Sequence, residues 1–144
     1  MIVNFEKLFL DTAPIVYYLD VDERYAWKVR DLLSSALNGG KAVLTSVITA
    51  TEYLTRPYRD GNEGKVAAFF RFVADAQIPL VPIDIEIAER AARIRAEYPG
   101  FKTVDSLQLA AACLCGCDAF LTNDKQLARF SSLRCLIVDD LSAI

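Results

Sequence analysis

Five short apolar runs, separated by longer stretches of helical periodicity, constrain this chain more than anything else in it. Lys7 to Leu10 (KLFL), Ala42 to Thr45 (AVLT), Ile78 to Ile83 (IPLVPI), Ala119 to Leu121 (AFL) and Leu136 to Val138 (LIV) read as strands. Pro79 and Pro82 mark the third as an edge or irregular strand, because proline offers no N–H to a ladder. Between the strands the spacing predicts helices. A short one has Pro14 in its first turn and continues through Ile15 to Leu19; the next covers Asp22 to Leu37 and is stopped by Asn38-Gly39-Gly40. Ser46 caps a third, which runs to Arg56, where Pro57 ends it. Gly64 to Ala76 forms a fourth, and Asp84 opens a fifth that Pro99-Gly100 closes. Thr103 caps a sixth over Val104 to Cys115, apolar almost all round and therefore central, and Asp124 to Phe130 is a short seventh. Strands alternating with helices form βαβ units, which call for a parallel sheet covered on both faces. Ligands of such sheets sit beyond the carboxyl ends of the strands, where the strand order reverses.

The chain has no histidine. That removes Ser-His-Asp and Cys-His catalysis, His-ligated zinc and any imidazole base, and leaves carboxylates, lysines, hydroxyls or a bound ion. At 144 residues it has the size of one compact domain, 1–144, stable without disulfides. Hydrophobic residues at 53% against 24% charged favour a globular fold over disorder. No apolar run is long enough to span a bilayer, and Asn4, Glu6 and Lys7 interrupt any secretory pattern, so a cytoplasmic location is expected. Cys113, Cys115 and Cys117 alternate along the sixth helix and so face different ways; with Cys135 they read as small core hydrophobes. The net charge of -3 argues against broad, charge-driven nucleic-acid binding. Divalent cations in an acidic site would invert that field locally.

Four acids stand where the strand ends should converge. Asp11 directly follows the first strand, and Asp124 follows the fourth after Thr122 and Asn123. Glu52 lies about two turns into the helix after the second strand, and Asp105 lies in the first turn of the apolar helix. Like charges packed so closely would raise one another's pKa and cost stability. A divalent cation removes the conflict, and oxygen-only donors suit Mg²⁺ or Mn²⁺ rather than zinc. Taken singly, Asp105 reads as a helix-dipole partner and Glu52 as part of a solvated face. Asp20, Asp22, Asp139 and Asp140 read as surface or turn residues.

The motifs Leu10-Asp11-Thr12, Thr49-Ala50-Thr51-Glu52, Asp105 to Ala112 (DSLQLAAA) and Leu121-Thr122-Asn123-Asp124, in this order, resemble the PIN domain. Within it they are most similar to the small VapC-type toxins of bacterial and archaeal toxin–antitoxin pairs, over nearly the whole chain. The resemblance implies an α/β/α sandwich with a parallel sheet, endoribonuclease activity and dependence on Mg²⁺ or Mn²⁺. By motif position Asp11, Glu52, Asp105 and Asp124 would form the acidic metal site. Thr12 and Thr122 would hold a carboxylate, water or phosphate, and Asn123 would orient Asp124. Asp20 and Asp22 depart from the pattern by adding negative charge after the first short helix, biasing substrate approach.

If such a site holds one or two divalent ions, they would make a water a usable nucleophile near neutral pH and would balance charge growing on the phosphate. Asp105 and Asp124 are the candidates to position that water. In-line displacement leaves a 5′-phosphate and a 3′-hydroxyl without needing the 2′-OH, so RNA preference would come from shape and groove contacts. Arg56, Arg59, Lys102, Lys125 and Arg129 are candidates to grip the backbone. The resemblance further implies a small antitoxin as partner and a homodimer; Tyr17, Tyr18, Tyr25, Trp27 and Tyr53 are candidates for an apolar groove, or are core. Other phosphoryl-transfer folds fit less well. The position two after Asp11 is Ala13 rather than a second acid, no lysine lies beyond Lys125, and no Gly-rich turn follows the first strand. The remaining rival is an inactive PIN-like module that binds RNA or protein without metal.

Overall fold

Five parallel strands make one sheet in the order β3-β2-β1-β4-β5. They are β1 (Lys7–Leu10), β2 (Ala42–Ser46), β3 (Leu80–Val81), β4 (Ala119–Thr122) and β5 (Arg134–Ile137) in a computed structural model that describes residues 4–142. The chain builds outward from β1 through β2 to β3, then returns to the other side of β1 with β4 and β5. The strand order therefore reverses between β1 and β4, the place where such sheets open a ligand crevice. The α-helices are α1 (Thr12–Leu19), α2 (Ala26–Asn38), α3 (Val47–Arg59), α4 (Glu63–Asp75), α5 (Ile85–Glu97) and α6 (Thr103–Leu114).

Successive strand residues point to opposite faces, so each strand feeds two cores. Leu8, Leu10, Val43, Ala119, Leu121 and Leu136 pack with Ile15, Val29, Leu33, Tyr53 and Phe69 from α1 to α4. Phe9, Leu44 and Phe120 point the other way, against Ile87, Ala91 and Ile94 of α5 and Leu109 of α6. The result is a three-layer α/β/α sandwich, as the alternation of strands and helices demanded. Ser106 and Gln108 through Ala112 on α6 are all buried, which matches the expectation that this helix is central. Among the described residues no helix is long and apolar enough to cross a membrane.

Local chemistry shifts several predicted boundaries. Asp22 does not open α2; its Oδ1 accepts the N–H groups of Arg24 and Tyr25, making a turn, and the helix starts at Ala26. Pro57 does not end α3. It lies in the last turn, where the missing N–H forfeits a single helical bond, and burial of its ring holds the helix to Arg59. The stop comes at Gly61, whose φ of +65° suits glycine best. The third strand shrinks to two residues between Pro79 and Pro82. Thr103 is the first residue of α6 rather than its cap, which is Lys102 with no side-chain hydrogen bond. Asp124 to Phe130 becomes a 3₁₀ turn over Lys125–Arg129. The last strand spans Arg134–Ile137, and Val138 opens a further 3₁₀ turn, Val138–Asp140.

The cysteines do not alternate along one helix. Cys113 lies in α6 and Cys115 is its C-cap; Gly116, at φ +75°, then turns the chain so that Cys117 is buried outside it. All four are free, and burial pushes the Cys117 and Cys135 thiols up to about 12 and about 11, which keeps them protonated and unreactive.

The amino end of β1 hangs on one carboxylate. Asp118, just before β4, accepts the Glu6 N–H through both oxygens and the Lys7 N–H at 2.7 Å. Although burial opposes it, these backbone hydrogen bonds with the nearby Lys41 charge hold the carboxyl below its ordinary value. A lowered folded-state pKa means stability present above the ordinary value and lost as pH falls through the folded one. Because the site is exposed, Asp118→Ala is expected to cost only about 1–2 kcal/mol in urea unfolding at neutral pH, a difference that narrows below pH ~4.

Candidate active site

The two strands that flank the reversal both end in residues of the predicted site. Asp11 leaves β1 with extended backbone and caps α1. One of its oxygens accepts the Thr12 N–H at 2.9 Å and the other the Thr122 hydroxyl at 2.8 Å. Thr122 is the last residue of β4, and its oxygen in turn accepts the Asp124 N–H at 3.1 Å. One hydroxyl thus ties two of the predicted acids together across the crevice. Asp124 caps the following 3₁₀ turn by accepting the Gln126 N–H at 3.0 Å. Glu52 approaches from α3, where its Oε1 accepts the Thr12 hydroxyl at 2.6 Å. Asp105 sits half-buried in the first turn of α6.

These acids act on one another. Asp11 is 9% exposed, and burial pushes its carboxyl up to about 6 against the hydrogen bonds from Thr122 and Thr12. The charges of Asp105 and Glu52 push it further the same way. Asp105 is raised by burial first and then by the charge of Asp124; Lys102 opposes this and Glu52 adds to it. All four predicted acids therefore share one electrostatic neighbourhood.

Oxygen donors of like charge in partly desolvated surroundings fit Mg²⁺ or Mn²⁺ in donor chemistry. They do not stand as a closed ligand shell. Among the described residues, no three acids or thiols are gathered tightly enough to grip one ion. Asp11 is anchored at both oxygens, whereas Glu52 and Asp124 are exposed and Asp105 is half-buried.

Asn123 is hydrogen-bonded away from Asp124. Its Nδ2 donates to the Tyr17 hydroxyl at 3.1 Å and its Oδ1 accepts the Asp139 N–H at 2.9 Å, which fastens the last 3₁₀ turn to α1. Asp139 also accepts from Tyr25 and pairs with Lys125 at 3.5 Å. Of the candidate phosphate grips, Arg56 and Glu52 line the same small cavity of about 140 Å³, together with Asp20 and Lys65. Lys102 acts on Asp105. Lys125 is drawn to Asp139, and the Arg129 guanidinium lies over the Phe101 ring, 5.3 Å from its centroid. Asp20 accepts the Tyr53 hydroxyl at 3.0 Å and pairs with Lys65 at 3.4 Å.

The predicted aromatic groove is only partly realised. Tyr53 is buried in the core, and Tyr17 packs against Tyr25. Tyr18 alone of the five lines an open groove of about 430 Å³ with Leu33, Leu37 and Phe72, between α1, α2 and α4. Pattern reading also passed over a buried polar set beneath the acids: Thr45, Ser46, Thr49 and Gln108, each 0% exposed. The available signal was Gln108, an amide inside an apolar run, since such a group must find partners when buried.

The PIN domain family model matches residues 8–133, most of the chain. No curated protein matches it in sequence. Several solved structures share its fold. VapBC2 from Rickettsia felis, bound to a DNA fragment from its promoter, superposes at TM-score 0.75 with 14% identity, covering 91% of this chain and 98% of that one. DNA-bound VapBC from Salmonella typhimurium gives 0.72 and 18%, covering 92% and 98%. VapC20 from Mycobacterium tuberculosis, described as a sarcin-ricin loop cleaving toxin, gives 0.66 and 18%, covering 88% and 98%. With the motifs, the sandwich and the family match all falling on the same residues, the chain belongs to the PIN domain family.

Proposed function

We propose that this protein is a metal-dependent endoribonuclease that hydrolyses RNA phosphodiester bonds, and that it is the toxin of a toxin–antitoxin pair. The observation that carries the reading is the shared field of Asp11, Glu52, Asp105 and Asp124 at the strand reversal, which a bound cation would relieve. These four side chains would hold Mg²⁺ or Mn²⁺. When bound, such an ion makes an attacking water more acidic and balances charge on the phosphate in an in-line displacement.

The chain's own residues divide the remaining work. Thr122 and the Thr12 N–H keep Asp11 in one orientation as the fixed wall of the site. Thr12 holds Glu52 toward the crevice. Asp124 approaches from the opposite side, its backbone fixed by Thr122. Arg56 lines one cavity with Glu52 and the Lys102 charge acts on Asp105, which supports a role for both in meeting substrate phosphates. The groove lined by Tyr18, Leu33, Leu37 and Phe72, together with Arg30, Arg71 and Asp75, suits an amphipathic segment of a small antitoxin. A toxin–antitoxin complex from Klebsiella pneumoniae shares the fold at TM-score 0.69. A homodimer belongs to the same reading.

Cleavage of structured and single-stranded RNAs in Mg²⁺ or Mn²⁺, with and without EDTA, tests it. The expected result is internal cleavage that EDTA abolishes and that leaves 5′-phosphate ends. A folded protein that binds RNA equally well with EDTA and cuts none would instead be the inactive binding module.

A further inference from the structure

Beneath the acids runs a row of hydrogen bonds that ends on Glu52, and each donor in it is determined by its neighbours. Ser46 caps α3: its oxygen accepts the Ile48 N–H at 3.1 Å, so its own hydrogen is free for the Gln108 Oε1. That contact sets the orientation of the Gln108 amide, leaving Nε2 to donate to Thr49 Oγ1 at 2.9 Å. Thr49 is held on its other side by Thr45, whose hydroxyl donates to Thr49 Oγ1 at 2.8 Å and shares its single hydrogen with the Leu10 carbonyl at 2.7 Å. Thr12 and Thr49 are 3.2 Å apart, and Thr12 gives its single hydrogen to Glu52, which as a carboxylate only accepts. Because Thr49 accepts from both Gln108 and Thr45, its own hydrogen is free, and Thr49 is the donor in the Thr12–Thr49 contact.

The row reads Ser46 to Gln108, then Gln108 to Thr49 to Thr12 to Glu52. It links α6, which carries Asp105, with α3 and α1, which carry Glu52 and cap on Asp11. Ser46, Thr49 and Gln108 are each 0% exposed, and among the described residues no buried side-chain N or O lacks a partner. In the buried part of the row, from Ser46 to Thr49, a reversal strands a donor or acceptor away from water, so few alternative arrangements are open there; the Thr12–Glu52 end is exposed.

We infer that Gln108 and Thr49 are positioning residues, which aim the Thr12 hydroxyl at Glu52 and so set the carboxylate geometry that a divalent cation meets. The inference rests on the metal-dependent reading above and adds to it the residues that prepare the site from behind. Neither side chain touches the acids' open face; Gln108 acts through Thr49, and Thr49 through Thr12.

The test is Mn²⁺ titration of the intact protein followed by electron paramagnetic resonance, with thermal unfolding measured on the same samples. Parent, Thr49→Val, Thr49→Ser, Gln108→Met and Glu52→Gln are compared. Thr49→Val and Gln108→Met are expected to weaken Mn²⁺ binding by roughly 10-fold, the low end of the range for partners bonded directly to a ligand, because both act through Thr12. Thr49→Ser, which keeps the hydroxyl, restores binding toward the parent level. A residue that only stabilises the fold would lower the Tm and leave the Kd of the folded protein unchanged. Parent-like Kd in both Thr49→Val and Gln108→Met, with Glu52→Gln impaired, would overturn the positioning role alone. Absence of saturable binding by the parent would overturn it together with the metal-dependent reading. Thr49→Val preserves side-chain shape and so keeps the test decisive should Gln108→Met not fold.

Discussion

Asp11→Asn is expected to lower metal-dependent RNA cleavage by on the order of 10³-fold, measured as initial rates under saturating Mg²⁺. Asp11 is the most buried of the four acids and the one held at both oxygens, so no neighbour can take its place. Losing the stabilisation of transition-state charge that a bound ion supplies costs several kcal/mol, and each ~1.4 kcal/mol is a factor of ten in rate. The same substitution is expected to stabilise the metal-free protein. A carboxyl raised in the folded state from 3.8 to about 6 opposes folding whenever it is ionised. The penalty is full above about pH 6, shrinks as pH falls through the window down to 3.8, and is gone below it. A shift of that size corresponds to about 3 kcal/mol, and the weaker hydrogen bonds of asparagine take back part of it. The expected net gain is about 1–2 kcal/mol at pH 7.5 in EDTA, vanishing near pH 4, read by urea unfolding of the two proteins side by side. An asparagine variant less stable than the parent at pH 7.5 would mean that its lost hydrogen bonds outweigh the relieved charge. The two expected results together would set function against stability at this residue, as in many active sites.

The second large effect falls on the fold. Phe120→Ala is expected to cost about 3–5 kcal/mol in chemical unfolding. Phe120 is fully buried at the centre of β4, and its ring stacks on Phe9 of β1 at 5.5 Å between centroids, 5° from parallel. The same strand pair brings Asp11 and Asp124 together. A loss of that size is a large share of the ~5–15 kcal/mol that holds a domain of this class. The variant should therefore unfold at much lower urea and lose cleavage at temperatures where the parent is still active. A drop of less than about 1 kcal/mol would mean that α5 and α6 collapse into the space, and that the aromatic pair is not what holds β1 and β4 together.

Much of this architecture was legible in the chain. Apolar runs alternating with helical stretches predicted a parallel sheet covered on both faces, and the strands do feed two cores, Leu8 and Leu10 to one and Phe9 and Phe120 to the other. Caps announced themselves where the cap was a short polar side chain, as at Ser46 and Asp84, which accept the N–H groups of Ile48 and Ile87. Reading failed where one local rule met a stronger tertiary term. Pro57 breaks a helix in isolation, yet here its ring is buried and the helix continues beneath it. Thr103 looked like a cap, but the chain entering α6 from Lys102 is already extended there. Asn123 looked like a neighbour of Asp124, and the fold instead gave it Tyr17 and Asp139.

The sequence by itself determined the class of sheet and supplied four acids, three beside the ends of elements and Glu52 two turns into a helix, that such a sheet can gather. It also narrowed the chemistry available, since a chain without histidine is left with carboxylates, lysines, hydroxyls or a bound ion. Only the tertiary structure decided which groups meet. Thr122 reaches Asp11 across 111 positions, and Gln108 reaches Thr49 across 59. The physical reason lies in range. Periodicity and capping are short-range properties, set by one turn or one pleat, and they mark a residue's face or its element's end. Partnership across the sheet depends on strand order and on hydrogen bonds that must all be satisfied at once, and many orders share the same local pattern.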